Sequence, residues 1–228
     1  MISVSAALIR IYRPVLLWFT AVLVLAEVCF VTVVSAITPV KFSMWVLVVG
    51  SAARYWLMVV VIMLIAVQLR QFVANGVTRR EFVVGATPCA LGGAVLLAAF
   101  MPVGHGLESA VLSLAGRQGA GYPSFSAWVG LAEFGRMLPG MLGFLVSGGL
   151  FAIVVLRYQP WIGIPLLLPA AAPLAVSAGL FDFDAYGIPV HAVVPYSLAL
   201  PISAVVTVAG AAALWWAVRD VAIRRTSG

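Results

Sequence analysis

Residues 68–82 read Gln-Leu-Arg-Gln-Phe-Val-Ala-Asn-Gly-Val-Thr-Arg-Arg-Glu-Phe and interrupt two long apolar runs with several charges. Asn75-Gly76 is a helix-stop signal, because glycine tolerates the left-handed conformation that closes a helix. Thr78 and Glu81 have the spacing of a capping box, in which each side chain binds the other residue's amide. The sequence therefore predicts one helix that ends near Asn75 and another that begins near Arg79. We call residues 68–82 the knuckle.

The composition is that of a membrane protein. The chain has 228 residues, of which 64% are hydrophobic and 9% are charged, whereas soluble domains carry about 25% charged residues. We therefore predict an all-α polytopic membrane protein, a single transmembrane domain over residues 1–228. Six transmembrane helices are expected, with the knuckle between the second and the third. Their approximate ranges are 15–36, 44–67, 83–103, 128–156, 161–177 and 197–218.

Charge asymmetry predicts the orientation. If the amino terminus is cytoplasmic, most arginines face the cytoplasm, only Lys41 and Arg117 lie outside, and Arg54 and Arg136 lie within spans. This is a strong positive-inside bias, and it places both termini in the cytoplasm and the protein in the cell (plasma) membrane. It also explains the net charge of +6 without a nucleic-acid partner. The inside set is Arg10, Arg13, Arg70, Arg79, Arg80, Arg157, Arg219, Arg224 and Arg225.

Two connections on the outer side carry their own structural signals. Residues 104–127 are glycine-rich, but apolar residues recur at helical spacing from Leu107 to Leu114, and Gly116 is a plausible stop. We expect a short helix there that lies on or dips into the outer leaflet. Prolines recur every fourth residue along the fifth span, which predicts an irregular helix. Residues 178–196 mix acidic and aromatic residues, as an outer-face or re-entrant segment would.

Ionisable residues inside the spans suggest internal pairs. Glu27 and Arg54 are expected at matching depth on adjacent helices, and a lone charge at the bilayer centre costs roughly 2.5 to 3.5 kcal/mol. We expect a structural ion pair, with a polar point on a substrate path as the alternative. Glu133 and Arg136 are three residues apart on one helix face and are expected to pair as well.

Several chemistries are excluded or disfavoured. A Walker loop needs a lysine after its second glycine, and the single lysine, Lys41, follows Thr38-Pro39-Val40. We therefore predict that the chain is not an ATPase or another enzyme and holds no cofactor. The acidic and histidine residues expected on the outer side have no metal-ligand spacing, so we predict no metal site. They are His105, Glu108, Asp182, Asp184 and His191.

Residues 71–82 resemble the Gly-Val-Ser/Thr-Arg-Arg loop of permease subunits of type-2 ATP-binding-cassette (ABC) exporters. That resemblance implies that the knuckle is a coupling element that sits on a separate ATPase subunit. It also implies two ATPase copies that bind ATP and Mg, a second copy of this permease or a similar one, and a broken outer helix before the sixth span. The implied coupling residues are Arg70, Gln71, Asn75, Gly76, Thr78, Arg79, Arg80 and Glu81.

The expected function is export of a hydrophobic or amphipathic substrate such as a drug, a lipid or a peptide. The alternative is an ion-gradient-driven carrier or small channel that uses Glu27 and Arg54, with Glu133 and Arg136 along the same polar path. A membrane scaffold or immunity protein without transport is a third possibility.

Overall fold

The computed structural model describes residues 4–182, 184, 186, 188 and 194–219. In this part of the chain the regular elements are helices, and six helical segments are long and apolar enough to cross a membrane. For the described residues, the prediction of a helical chain with six helices long and apolar enough to cross a membrane is confirmed. The helices are α1 (Val4–Ile37), α2 (Met44–Met63), α3 (Leu69–Ala74), α4 (Arg79–Leu114), α5 (Ala127–Arg157), α6 (Pro160–Ala170), α7 (Ala172–Phe181) and α8 (Tyr196–Arg219).

Four of the six segments have 31 residues or more, well above the roughly 20 that a bilayer requires, and two of these four flank the knuckle. A π-helical turn, Leu64–Gln68, joins α2 to α3, so that Met44–Ala74 is one helical segment of 31 residues, and α4 has 36. At 1.5 Å per residue these are about 46 and 54 Å long, whereas the hydrocarbon core is about 30 Å thick. Both segments therefore extend beyond the hydrocarbon, and the knuckle joins them.

Helix α5 is the centre of the bundle. In its most apolar stretch 67% of the residues are buried, against 6% in α1, and α5 packs on α2, α4, α7 and α8. Glycines allow this close packing: a Cβ at Gly148 would lie 2.7 Å from the carbonyl oxygen of Met58, and one at Gly143 would lie 2.6 Å from that of Pro173. Small residues at helix contacts are typical of membrane bundles.

The knuckle end of the bundle has its own hydrophobic cluster. Its buried residues include Leu8 of α1, Leu69 of α3, Phe82 of α4, Ile153 of α5 and Val218 of α8. Val61 of α2 belongs to the same cluster, so six helices meet in one apolar core directly beside the knuckle, which fixes the position of the knuckle relative to the bundle.

The prediction of a separate outer helix near Leu107 is wrong. Those residues form the last turns of α4, which ends at Leu114. Gly116 follows in the left-handed conformation, with φ 64°. Tertiary contacts keep the glycine-rich turns helical. Trp45 packs where a side chain at Gly104 would lie, its indole N–H donates to the Met101 carbonyl at 3.0 Å, and Gly106 makes similar room for a phenylalanine.

The proline-rich fifth span is interrupted, as expected. Ala171 separates α6 from α7, and Pro173 lies in the first turn of α7. The segment expected to be re-entrant, 178–196, includes positions 183, 185, 187 and 189–193, which lie outside the described residues. Its re-entrant character stays a prediction, and so does the cytoplasmic location of the termini.

Candidate functional site

The knuckle begins with a defined helix stop. Asn75 caps the end of α3, and Gly76 adopts the left-handed conformation with φ 87°. The amides of Gly76 and Val77 donate to the carbonyls of Val73 and Phe72, both at 3.0 Å. This is the Schellman arrangement, which satisfies carbonyls that the helix end leaves free. The stop predicted at Asn75-Gly76 is confirmed.

The capping box that restarts the chain as α4 is also confirmed. The Thr78 hydroxyl accepts from the Glu81 amide at 3.2 Å, and the Glu81 carboxylate accepts from the Thr78 amide at 2.9 Å. The rings of Phe72 and Phe82 meet across the turn with their centroids 5.5 Å apart. The knuckle is therefore held on both sides by hydrogen bonds and by an aromatic contact.

The surface of the knuckle is basic and accessible. Arg70 and Arg80 are exposed, while Arg79 is partly buried because its guanidinium donates to the Arg219 carbonyl at 3.1 Å. The three arginines Arg79, Arg80 and Arg219 line a cavity of about 500 Å³. The other implied coupling residues, all exposed, are Gln71, Asn75, Gly76, Thr78 and Glu81.

The expected pairing of Glu27 with Arg54 is wrong. Arg54 is 3% exposed, and its guanidinium lies 3.2 Å from the Asp182 carboxylate. It also donates to the Phe181 carbonyl at 3.4 Å. The guanidinium lies at the carboxyl end of α7, where free carbonyls and the helix dipole favour a cation, and Gly140 leaves room beside it.

Glu27 instead faces the groove between α1 and α4. It lines a cavity of about 310 Å³ together with Trp45 and Glu108. The Glu27 Oε1 atom is buried and has no hydrogen-bond partner among the described residues. The acidic side chain thus lies in a largely apolar groove, apart from Arg54.

Glu108 stabilises the start of α2. Its carboxylate accepts from the Ser43 hydroxyl and from the Met44 amide, the latter at 3.1 Å. A carboxylate at a helix amino terminus satisfies free amides and complements the helix dipole. Burial and the neighbouring Glu108 carboxylate raise the pKa of the Tyr122 phenol, which keeps that group neutral.

The second expected pair, Glu133 with Arg136, is also wrong. The Glu133 Oε1 atom lies 2.6 Å from His105 Nδ1, and both side chains are almost fully buried. His105 comes from α4 and faces Glu133 across the contact between α4 and α5. Arg136 remains apart from this pair and lines a neighbouring cavity with both of its members.

His105 and Glu108 were expected in the outer connection 104–127, and the structure buries both within α4. The helical spacing from Leu107 to Leu114 was the available signal, because that stretch already contains Glu108 and a backward extension of two residues includes His105. Within the described residues no three histidine, cysteine or acidic side chains are arranged to hold a metal ion. His191 lies outside that part of the chain.

Comparison with known proteins identifies no relative. No protein-family model matches this chain, and neither a curated protein nor a solved structure matches it. Two local features bear on the function, the knuckle and the buried ionisable side chains.

Proposed function

We propose that this chain is the membrane-spanning subunit of an ATP-driven exporter and that a separate ATPase subunit docks on the knuckle. The observation that carries the proposal is that the knuckle is a clamped, exposed and basic turn between two long helical segments of 31 and 36 residues. Such a turn can receive a force from a partner and pass it to both helices. The arginines at positions 70, 79 and 80 predict an acidic docking groove on that partner.

The path of the motion follows the packing. The Schellman stop, the capping box and the contact of Phe72 with Phe82 prevent the turn from absorbing a displacement locally. A push on the knuckle therefore moves α3 and α4 together. Both α2 and α4 pack on α5, so the displacement reaches the centre of the bundle. In this proposal two ATPase copies bind ATP and Mg in the cytoplasm, and a second permease completes the transporter.

An apolar cavity supports a hydrophobic or amphipathic substrate. It has a volume of about 340 Å³ and lies among α2, α4, α5 and α8. Its lining includes Phe82, Leu145 and Trp215, with Thr87 and Thr207 as polar side chains. Apolar walls with a few polar groups are typical of sites for drug-like or lipid-like molecules.

The test is a pull-down of the tagged chain in mild detergent after co-expression with the ATPases of its native cell. We expect a stoichiometric ATPase to co-purify with the wild-type chain. Arg79→Glu together with Arg80→Glu should abolish that association and ATP-dependent export, because both changes place negative charge against an acidic groove. Arg117→Glu, a matched reversal at an exposed site away from the knuckle, should leave both intact. Export at the wild-type rate by the double variant would refute the docking role.

A gradient-driven carrier is the second candidate, and it is favoured by the buried Glu27 oxygen, which has no hydrogen-bond partner in the described part of the chain. A carboxyl group within a membrane span is a common proton-carrying element. If Glu27 carries protons, purified protein in liposomes will show substrate-coupled proton flux without any ATPase, and Glu27→Gln will abolish it. The exporter proposal predicts no such flux.

A further inference from the structure

A second polar site lies where α4 and α5 meet, near the end of α4 that is opposite the knuckle. It is a cavity of about 330 Å³, and its charged or titratable lining includes His105, Glu133 and Arg136. Ser124 and Tyr186 add a hydroxyl and a phenol to the wall. None of the residues proposed to contact an ATPase takes part in this site.

Two buried atoms of this wall lack hydrogen-bond partners among the residues that the structure describes. His105 is 0% exposed and Glu133 is 6% exposed, and the contact between them uses only one nitrogen and one oxygen. Within the described residues the remaining atoms, His105 Nε2 and Glu133 Oε2, have no partner. Buried polar atoms are nearly always satisfied in folded proteins, so the unused capacity points to a group that binds here.

The charges of the wall are arranged for a ligand with two different ends. Glu133 and Arg136 are one turn apart on α5, which places side chains about 5–6 Å apart at their Cβ atoms. They do not pair, because Glu133 binds His105 instead. Among the described residues Arg136 has neither an ion-pair nor a hydrogen-bond partner. The cavity therefore offers an acceptor and a cation side by side.

We propose that this cavity binds a zwitterionic group, with an ammonium that donates to Glu133 and an oxyanion that accepts from Arg136. An amino acid and a phosphoethanolamine headgroup both have this chemistry. His105 acts as a positioning residue, since its ring holds the Glu133 carboxylate in place. Along α5, Arg136 lies about 31 Å from the helix end at Arg157, close to the hydrocarbon thickness of about 30 Å. The site is thus at headgroup level.

The test compares two lipids with identical acyl chains on the purified chain alone. Phosphatidylethanolamine and phosphatidylcholine share the phosphate, but the quaternary ammonium of choline has no N–H to donate. Native mass spectrometry in a lipid titration should show at least about a tenfold preference for the ethanolamine lipid, since a hydrogen bond to a charged group is worth at least that factor. Equal binding of the two lipids, with no binding of free glycine, would overturn the proposal.

Two variants separate the two halves of the site. Glu133→Gln should lower the preference for phosphatidylethanolamine about tenfold, because the carboxylate that receives the ammonium is lost. Arg136→Gln should weaken the binding of both lipids by about tenfold and leave the preference for phosphatidylethanolamine unchanged. Arg117→Gln is the matched control and should change neither. A full preference in Glu133→Gln would also overturn the proposal.

Competition by soluble molecules identifies the source of the group. Free glycine should displace the lipid if the site takes an amino acid, whereas displacement by free phosphoethanolamine alone assigns the site to the lipid headgroup. The experiment contains no ATPase, so its result is independent of the role proposed for the knuckle.

Discussion

Replacing Asp182 by asparagine should destabilise the protein through Arg54, more than 120 residues away in the sequence. The Arg54 guanidinium is buried, and the Asp182 carboxylate lies 3.2 Å from it. Removing that carboxylate takes away a negative charge that stabilises the buried cation. Replacing Arg54 by methionine in the same chain removes the charge itself, so the double variant should recover most of the lost stability.

The magnitude follows from the exposure of the two side chains. Breaking a fully buried ion pair by removing one partner costs about 3–5 kcal/mol. The Asp182 side chain is 52% exposed, so water screens part of the interaction and we expect a cost of about 2 kcal/mol. The coupling between Asp182→Asn and Arg54→Met should therefore be about 1–2 kcal/mol in a double-mutant cycle.

A titration with SDS in mixed micelles, followed by tryptophan fluorescence, measures the free energy of unfolding of each variant. A parallel cycle of Glu27→Gln with Arg54→Met is the matched control and should show no coupling, because Glu27 faces a different groove. The reasoning fails if Glu27 couples to Arg54 as strongly as Asp182 does. That result would favour the pairing first expected from the sequence.

Three further substitutions test single contacts with the same titration. Gly76→Ala should cost about 1–2 kcal/mol because of its left-handed conformation, whereas Gly92→Ala, in open space within α4, should be neutral or stabilising by up to about 1 kcal/mol. Gly148→Ala places a methyl group 2.7 Å from the Met58 carbonyl oxygen and should cost about 1–3 kcal/mol. Glu108→Gln removes the negative charge at the start of α2 and should cost about 1 kcal/mol. If Gly76→Ala, Gly148→Ala or Glu108→Gln is as stable as the wild-type chain, the contact assigned to that residue is contradicted.

The knuckle could be predicted because its chemistry is local. Asn75 and Gly76 stop one helix, and Thr78 and Glu81 start the next, within a few residues and without help from the rest of the chain. The six helices long and apolar enough to cross a membrane could also be predicted from the sequence. Apolar runs of sufficient length have few alternatives to a helix in a bilayer.

The partners of the buried charges could not be predicted, for a geometric reason. Hydropathy gives the depth of a residue along the membrane normal but not the rotation of its helix about its own axis. Glu27 and Arg54 were matched by depth, yet Arg54 faces α7 while Glu27 faces α4. Only packing determines those rotations, and the packing depends on close contacts such as that at Gly148.

The length of α4 was underestimated for a related reason. Gly104 and Gly106 indicate a loop when the sequence is considered by itself. In the folded chain they are contact points for Trp45 and Phe125, and the gain from that packing offsets the low helical propensity of glycine.

The continuity of α4 has a mechanical consequence. It begins at the knuckle and carries His105 about 40 Å further along its axis, so the knuckle and the polar cavity lie on one helix. If α4 moves relative to α5 as one rigid body, a tilt of about 5° at the knuckle displaces His105 sideways by about 3.5 Å at that helix length. That displacement exceeds the 2.6 Å separation between His105 and Glu133. A partner that tilts α4 could therefore open or close the distant cavity without touching it.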